Sequence, residues 1–310
     1  MKHKKIKTIL ARWEGVVRNC ISNLTLPCYY YSIITIYFIK EYNMPQITLT
    51  LVKSFTQDRM QGNPVGVCLL QENLLDETYF KITRQTGFSE CVFVKFIDNI
   101  PVLRFFSPEK EMNMCGHALL AVAHILHNKY QPNLVNTKAG NVTIQYQPNG
   151  LIEMILTTKP CHYTDFVSVQ RIAELLGINP HAIKSDPIKI SMGTPKVLVE
   201  LKSTEDLLTM QPNFKAITEE IPQGIYPFVM IKETLYYARQ FNPATGINED
   251  PVTGVAAAAL GIHLKSKNIY QFTVEQGHVL NKLGTIFVDV SNGVKIGGHA
   301  VIYDELILNT

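Results

Sequence analysis

Two short turns, each followed by an apolar helical pattern, carry the residue types that bind anions. The turns occupy residues 114–117 (MCGH) and 250–254 (DPVTG). At a helix N-terminus the first backbone N–H groups lack helical partners, and the positive end of the helix dipole favours an anion. If both turns face one cleft, the helix starts at Gly116 and Gly254 would hold a carboxylate substrate or a developing enolate. The alternative is that both glycines serve helix–sheet packing.

One carboxylate, Glu90, begins an otherwise apolar segment whose residues 91–94 are CVFV. An apolar surround raises the pKa of a carboxyl group, which could then accept and return a proton near neutral pH. From the residues alone, the alternative is a solvated charge at a strand end. His117 and Asp250 have similar alternatives, as a hydrogen-bonded cap and as an N-terminal helix cap beside Pro251.

The patterns around these residues predict strands and helices in a regular order. Apolar residues alternate over 47–51, which predicts a strand, and residues 61–64 (QGNP) predict a tight turn. The further predicted elements follow in chain order: strand 65–70, helix 76–87, strands 90–94 and 102–106, and a helix from Gly116 to about His127.

The second half of the chain repeats the order of short motifs found in the first half. Residues 62–64 (GNP) recur as 193–195 (GTP), and residues 104–108 (RFFSP) recur as 239–243 (RQFNP), at nearly the same offset. Each second motif precedes a loop and an Ala-rich helix. With the helix starts at Gly116 and Gly254 these are three matches in the same order. They predict a duplicated α+β fold, in which each pseudo-symmetric lobe wraps a mostly antiparallel or mixed sheet round a central helix. We assign the lobes to residues 44–160 and 161–310.

Residues 1–43 differ from the rest in charge. They hold seven Lys and Arg residues against two Glu, so the remaining chain is slightly acidic although the formal net charge is +3. Such a body lacks the clustered basic face of a nucleic-acid binder, and we predict no nucleic-acid partner. We interpret residues 1–43 as an extension, unstructured or preceding a true start at Met44. The alternative is a membrane-surface or targeting role, although the apolar run 26–39 is shorter than the roughly 20 residues that span a bilayer. For residues 44–310 we predict no membrane partner.

The cysteine and glycine patterns argue against metals and nucleotides. Six cysteines occur without a C-x-x-C pair or zinc-site spacing, which favours a reducing cytoplasm. His124 and His127 lie near Cys115 in the sequence, but the apolar residues between them predict a packed helix. No G-x-G-x-x-G or G-x-x-x-x-G-K-[ST] motif appears, so we predict no cofactor.

Five segments together resemble the PhzF-like phenazine biosynthesis isomerases, in the order and spacing of that family and across essentially all of residues 44–310. The segments are 58–67 (DRMQGNPVGV), 88–94 (FSECVFV), 104–118 (RFFSPEKEMNMCGHA), 248–256 (NEDPVTGVA) and 275–277 (EQG). Proteins of that family share a two-lobed fold with diaminopimelate epimerase.

The resemblance implies a cofactor-independent isomerase that moves a proton between carbons of a small, cyclic, carboxylate-bearing metabolite. It implies that Glu90 is the general acid/base and that His117 and Asp250 bind or polarise the substrate. Gly116, Gly254 and Asn63 complete the expected substrate-binding set. Whether the protein assembles as a homodimer is left open by the sequence.

Two positions depart from the family pattern. Val255 stands where the phenazine enzyme has a serine after the Thr-Gly pair, and valine can neither donate nor accept a hydrogen bond. Lys282 follows Asn281 where many relatives have a Gly-Arg pair. Lysine keeps the positive charge of the arginine but lacks its planar guanidinium group.

Two other functions stay open. The first is a binding protein that kept the fold and lost the chemistry, which Val255 favours. The second is a thiol-dependent epimerase, which needs one cysteine from each lobe. Cys115 is suitable, but the last cysteine is Cys161, and the second turn carries Asp250 and Pro251 instead.

Overall fold

The computed structural model describes residues 46–127, 129–157, 159–163 and 167–309. The predicted extension 1–43 lies outside these residues. Residues 47–308 form one unit. Gln46 and Asn309 belong to another, in which the Gln46 side-chain amide donates to Oδ1 of Asn309 at 3.3 Å. Across the described ranges, no helix combines the length and the apolar character needed to cross a membrane.

Within its described residues, the first half of the fold places two helices among eight strands. In chain order the elements are β1 (Gln46–Ser54), β2 (Asn63–Leu70), α1 (Asp76–Thr86), β3 (Cys91–Ile97), β4 (Ile100–Phe106), β5 (Glu111–Met112), α2 (Gly116–His127), β6 (Leu134–Thr137), β7 (Gly140–Tyr146) and β8 (Ile152–Leu156).

The second half follows the same plan. Its elements are β9 (Cys161–Tyr163), α3 (Val169–Leu176), β10 (Ile188–Ser191), β11 (Pro195–Glu200), α4 (Thr204–Thr209), α5 (Phe214–Glu220), β12 (Ile225–Lys232), β13 (Leu235–Ala238), β14 (Gln240–Asn242), β15 (Ile247–Asp250), α6 (Gly254–Lys265), β16 (Gln271–Gln276), β17 (Gly284–Asp289), β18 (Val294–Gly298) and β19 (Ala300–Asn309).

Strand pairing follows one pattern in both halves. The order β1-β2-β3-β4-β6-β7-β8 pairs antiparallel, parallel, antiparallel, parallel, antiparallel and antiparallel. The order β10-β11-β12-β13-β16-β17-β18 repeats these six pairings without a change. Strand β18 pairs antiparallel with β8, which joins the two sheets. The predicted duplicated α+β fold with mixed sheets is therefore confirmed, whereas the lobe boundary between residues 160 and 161 stays a prediction.

The two central helices, α2 and α6, lie inside the sheets because they are apolar on nearly every side. Residues 118–123 of α2 and 256–260 of α6 are almost fully buried in one continuous hydrophobic core. A helix without a polar face has no stable position on a protein surface. Burial of these helices brings the two anion-binding turns of the sequence into the interior.

An ion pair is duplicated along with the strands. Arg104 binds Glu111 through two hydrogen bonds of 2.8 and 3.1 Å, and Arg239 binds Glu249 through two of 2.8 Å. Each guanidinium also lies 4.9 Å from a phenylalanine ring, that of Phe106 or Phe241. The repeated Arg-x-Phe motif thus holds the loop before each central helix, and a bidentate pair fixes such a loop more precisely than a single bond.

The predicted elements near the site are confirmed with small shifts at their ends. Helix α2 begins at Gly116 and ends at His127, as predicted. Strand β2 begins at Asn63 rather than at residue 65, because Ser54 pairs with Asn63 across the sheet. The turn itself ends at Gly62, whose φ of +74° and contact to the Ser54 carbonyl oxygen leave no room for a side chain.

Candidate active site

Three strand ends and one helix start meet at the candidate site. Asn63 begins β2, Glu90 directly precedes β3, and β2 and β3 run parallel with Gly66 beside Cys91. His117 is the second residue of α2, and the Ser54 hydroxyl at the end of β1 donates to its carbonyl oxygen at 2.7 Å. The strand ends therefore set where the helix begins.

Asn63 connects the two halves. Its side-chain Nδ2 donates to Oδ1 of Asp250 at 2.8 Å and to the carbonyl oxygen of Val252 at 3.1 Å, and it lies 3.3 Å from Nδ1 of His117. Its Oδ1 is buried and has no hydrogen-bond partner among the described residues. Asn63 thus holds the second turn against the first and keeps one acceptor free.

Glu90 is buried, so the alternative of a solvated charge at a strand end is wrong. The residue is 8% exposed, and its Oε2 has no hydrogen-bond partner within the described part of the chain. Burial raises the pKa of Glu90 to about 7, and the Ser89 hydroxyl lowers it by a smaller amount. The expected rise in pKa is confirmed, and near neutral pH this carboxyl can either give or take a proton.

His117 faces Glu90 as a neutral imidazole. Its Nε2 lies 3.3 Å from Oε2 of Glu90, while its Nδ1 lies 3.2 Å from Sγ of Cys115. Burial lowers the pKa of His117, and the negative charge of Asp250 opposes this only in part. The Cys115 thiol and the Asn63 amide can both donate toward Nδ1, so we assign the ring proton to Nε2, the nitrogen nearer to Glu90.

Asp250 lies at the end of β15, where a polar network holds it. Its Oδ2 accepts a hydrogen bond of 2.5 Å from the Thr253 hydroxyl, and its Oδ1 accepts from Asn63. Burial raises the pKa of Asp250 to about 6, with His117 lowering it and Glu90 raising it. Asp250 is not the N-cap of α6, since Thr253 holds that position.

Gln276 organises the turn between β15 and α6. Its Nε2 donates to the Asp250 carbonyl oxygen at 2.8 Å and lies 3.2 Å from the Thr253 hydroxyl. Its Oε1 accepts from the Thr253 backbone N–H and from the Tyr226 hydroxyl, both at 3.2 Å. Sequence reasoning noticed this glutamine only as part of the segment 275–277 and gave it no role.

Lys196 is a second residue that sequence reasoning missed. It follows the turn 193–195, is 2% exposed, and donates from Nζ to the Gln223 carbonyl oxygen at 2.8 Å. Burial lowers the pKa of Lys196 to about 8, while the charge of Asp250 opposes that shift. A buried cation close to Asp250 helps this carboxylate to stay ionised.

The starts of the two central helices lie side by side. A Cβ added to Gly116 would be 3.8 Å from Cα of Gly254, and one added to Gly254 would be only 2.8 Å from Cδ1 of Ile296. Close packing therefore leaves no room for a side chain at Gly254, and its role in anion binding stays a prediction. Thr253 makes no side-chain capping bond, which leaves the first N–H groups of α6 without a cap.

Cys115 packs at the N-terminus of α2. Burial first, and then the charge of Glu90, raise the pKa of its thiol well above the usual value, whereas the backbone N–H groups of His117 and Ala118 lower it. Those N–H groups belong to the first turn of the helix, so the sulfur acts as a weak N-cap. Such a thiol stays protonated near neutral pH and is a poor nucleophile.

Among the residues that the structure describes, Glu90, Cys115 and His117 form the group that could hold a metal ion. One potential ligand atom from each lies within 4.8 Å of the other two, and all three residues are buried. A metal ion such as Zn²⁺ would have to displace the thiol proton of Cys115, whose raised pKa opposes this. The arrangement suits proton transfer better than metal binding.

A cavity of about 630 Å³ is lined by residues from both halves of the fold. The first half contributes Lys53, Asn63 and Ser89 to its wall, and the second half contributes Pro251 and Lys282. Glu90 directly follows Ser89, and Asp250 directly precedes Pro251. Of the predicted site residues, Asn63 lines this cavity, whereas Glu90 and Asp250 lie one position along the chain from its wall. A small molecule in this cavity would lie between the halves of the fold.

We expect the stability of the protein to fall as the pH rises through about 7. Because Glu90 has a higher pKa in the folded state than in the unfolded chain, its contribution is complete at low pH and is lost above the folded pKa. Thermal midpoints of wild type and Glu90→Gln, measured at about pH 6 and about pH 8.5, check this. The decrease should be smaller in Glu90→Gln; an equal decrease would contradict the assignment.

The chain matches a known protein family over most of its length. Residues 52–305 match PhzC-PhzF, described as "Phenazine biosynthesis-like protein". An "uncharacterized isomerase" of Clostridium acetobutylicum is 32% identical over 308 residues, which cover 87% of this chain and 100% of that protein.

Solved structures show the same similarity. A phenazine biosynthesis protein of the PhzF family from Bacillus anthracis superposes with a TM-score of 0.75 at 27% identity, covering 86% of this chain and 99% of that one. A hydroxyproline epimerase from Agrobacterium vitis superposes with a TM-score of 0.60 at 10% identity, covering 86% and 93%. The second likeness is one of fold alone.

Proposed function

Because the chain belongs to the PhzC-PhzF family of phenazine biosynthesis-like proteins, we propose that it is a cofactor-independent isomerase with Glu90 as its general acid/base. The observation that carries this proposal is the buried carboxyl of Glu90, with a pKa of about 7 and an unpartnered Oε2. The relative from Clostridium acetobutylicum that covers nearly the whole chain is also named an isomerase.

In the proposed reaction, Glu90 takes a proton from one carbon of the substrate and returns a proton to another carbon. A group that performs both steps works best when its pKa lies near the operating pH. Nε2 of His117 lies 3.3 Å from Oε2 of Glu90, where its N–H stabilises the ionised carboxylate before it takes the proton and after it has returned one. At a pH above its pKa of about 6, Asp250 is ionised. The carboxylate accepts a hydrogen bond from Asn63 and so holds this residue in place for substrate binding.

The substrate carboxylate binds at the start of α6, where Thr253 makes no side-chain capping bond to the first backbone N–H groups. Val255 removes the side-chain hydroxyl that the phenazine enzyme has at this place. It keeps its backbone N–H, so the anion-binding end of the helix is unchanged. The altered side chain changes which ring substituent fits beside the carboxylate, and we propose a substrate that differs from that of the phenazine enzyme.

A screen for exchange of solvent deuterium tests the isomerase proposal. The protein is incubated in D₂O with small cyclic carboxylates, and each compound is analysed by mass spectrometry and proton NMR. An isomerase incorporates deuterium at a carbon of its substrate. A protein that only binds such compounds, the alternative that Val255 favours, leaves every carbon unlabelled. Binding of ring carboxylates that carry a C–H next to a carbonyl group or double bond, without labelling of any of them, would overturn the proposal.

Once a substrate is known, Cys115→Ala is expected to keep most of the turnover, because the thiol caps a helix and does not transfer the proton. Cys115→Ser, which preserves a capping atom, is the matched control. A loss of several orders of magnitude in kcat for both variants would instead support the thiol-dependent epimerase.

A further inference from the structure

Two lysines, one from each half, line the cavity between the halves of the fold. Lys53 is half-buried near the end of β1, and Lys282 is exposed in the loop before β17. The proposed reaction uses neither of them. Among the described residues neither has a carboxylate within ion-pair distance, and the ammonium of Lys53 lies 5.0 Å from the ring centroid of Tyr303.

Lys53 lies near Asn63 at the turn end of the β1–β2 ladder. In the β1–β2 ladder, Lys53 pairs with Pro64 and the next residue pairs with Asn63. Pro64 and Asn63 also line the cavity. The stem of Lys53 therefore begins one ladder position away from the residue that binds Asp250.

Two hydrogen bonds between the halves hold the loop of Lys282. The backbone N–H of Leu283 donates to Oε1 of Gln61 at 2.7 Å, and the N–H of Gly62 donates to the Leu283 carbonyl oxygen at 2.9 Å. Within the loop, the Lys282 N–H donates to the Gly277 carbonyl oxygen at 3.1 Å. The backbone at Lys282 is thereby fixed beside the turn that precedes Asn63.

The charge on the cavity wall is positive by one unit. Glu249 is neutralised by its two hydrogen bonds to Arg239, which leaves Glu109 as the acidic group opposite two lysines. Burial first, and then the charge of Lys282, lower the pKa of Lys53, so the two ammonium groups repel each other. An anion between them would remove this repulsion. One excess positive charge matches one carboxylate.

We propose that Lys53 and Lys282 form a second anion subsite and that the substrate is a dicarboxylate, with one acidic group at the start of α6 and another at these lysines. This inference rests on the proposed function because it deepens the same site. It names the substrate class as cyclic compounds with two carboxylates, and it gives the departure at Lys282 a role. A lysine ammonium on a flexible stem can follow a carboxylate whose position varies between substrates.

Binding measurements with simple ring acids test the subsite. Isothermal titration calorimetry gives the Kd of isophthalate and of terephthalate, whose second carboxylates point in different directions, with benzoate as the monoacid reference. We expect the better diacid to bind about tenfold more tightly than benzoate at low salt, and this preference to shrink as salt is added. Equal affinities of all three acids would overturn the proposal.

Variants assign the preference to the two lysines. We expect the diacid preference to fall about threefold in Lys282→Met and to disappear in Lys53→Met/Lys282→Met, while the exposed Lys81→Met on α1 keeps it. Glu109→Gln should increase it. A preference that survives in the double variant would overturn the proposal. If the variants with Lys53→Met do not fold, Lys282→Met alone tests the proposal, because its substitution lies in an exposed loop; an unchanged diacid preference in that variant would then overturn it. The assay measures binding and requires no turnover. It therefore tests the subsite even if the protein proves not to be an isomerase.

Discussion

Glu90→Gln is expected to lower deuterium exchange into the substrate by at least roughly 10²-fold, the lower end of a typical general acid/base contribution. The amide keeps the shape of the side chain but has no titrating proton. Because Glu90 acts on the reacting carbon and not on the carboxylate of the substrate, binding should change little, and the loss should appear in kcat rather than in KM.

Glu77→Gln is the matched control for this substitution. Glu77 lies exposed in the first turn of α1, so the same chemical change there should leave exchange and binding unaltered. Glu90→Asp adds a further comparison, since it keeps a carboxyl group that titrates but on a shorter side chain. Exchange by Glu90→Gln at close to the wild-type rate on a confirmed substrate would disprove the proposed role of Glu90.

Asp250→Asn is expected to lower kcat/KM by roughly 10²-fold or more, with both a higher KM and a lower kcat. The carboxylate accepts hydrogen bonds from Asn63 and Thr253, and an amide cannot accept both with the strength of an ionised group. Asn63 would lose its fixed position between the halves, so the substrate would bind less tightly even before the proton moves.

The split between KM and kcat distinguishes Asp250 from Glu90. The control is Asp186→Asn, at an exposed position outside the cavity wall, which should leave both constants unchanged. An Asp250→Asn variant with normal KM and reduced kcat would assign Asp250 to proton transfer and remove its role in binding. His117→Asn should resemble Asp250→Asn, because its ring also contacts Asn63.

Repeated local patterns predicted the duplicated architecture. Alternation and glycine turns depend on a few neighbouring residues, so the limits of α2 and the matching halves could be derived from the sequence. The repeated Arg-x-Phe segments became the ion pairs Arg104–Glu111 and Arg239–Glu249. The start of β2 was misplaced by two residues because its pairing with Ser54 depends on another strand.

Only the tertiary structure decided how the candidate site is held together. Asn63 binds Asp250 across 187 positions of sequence, and Gln276 fixes the turn at Asp250 from a different strand. The residues around Glu90 indicated an apolar strand, but its burial depends on the packing of α2 against β2 and β3. Hydrogen bonds and pKa shifts arise from such distant contacts, and a local pattern contains no information about which distant residue will supply the partner.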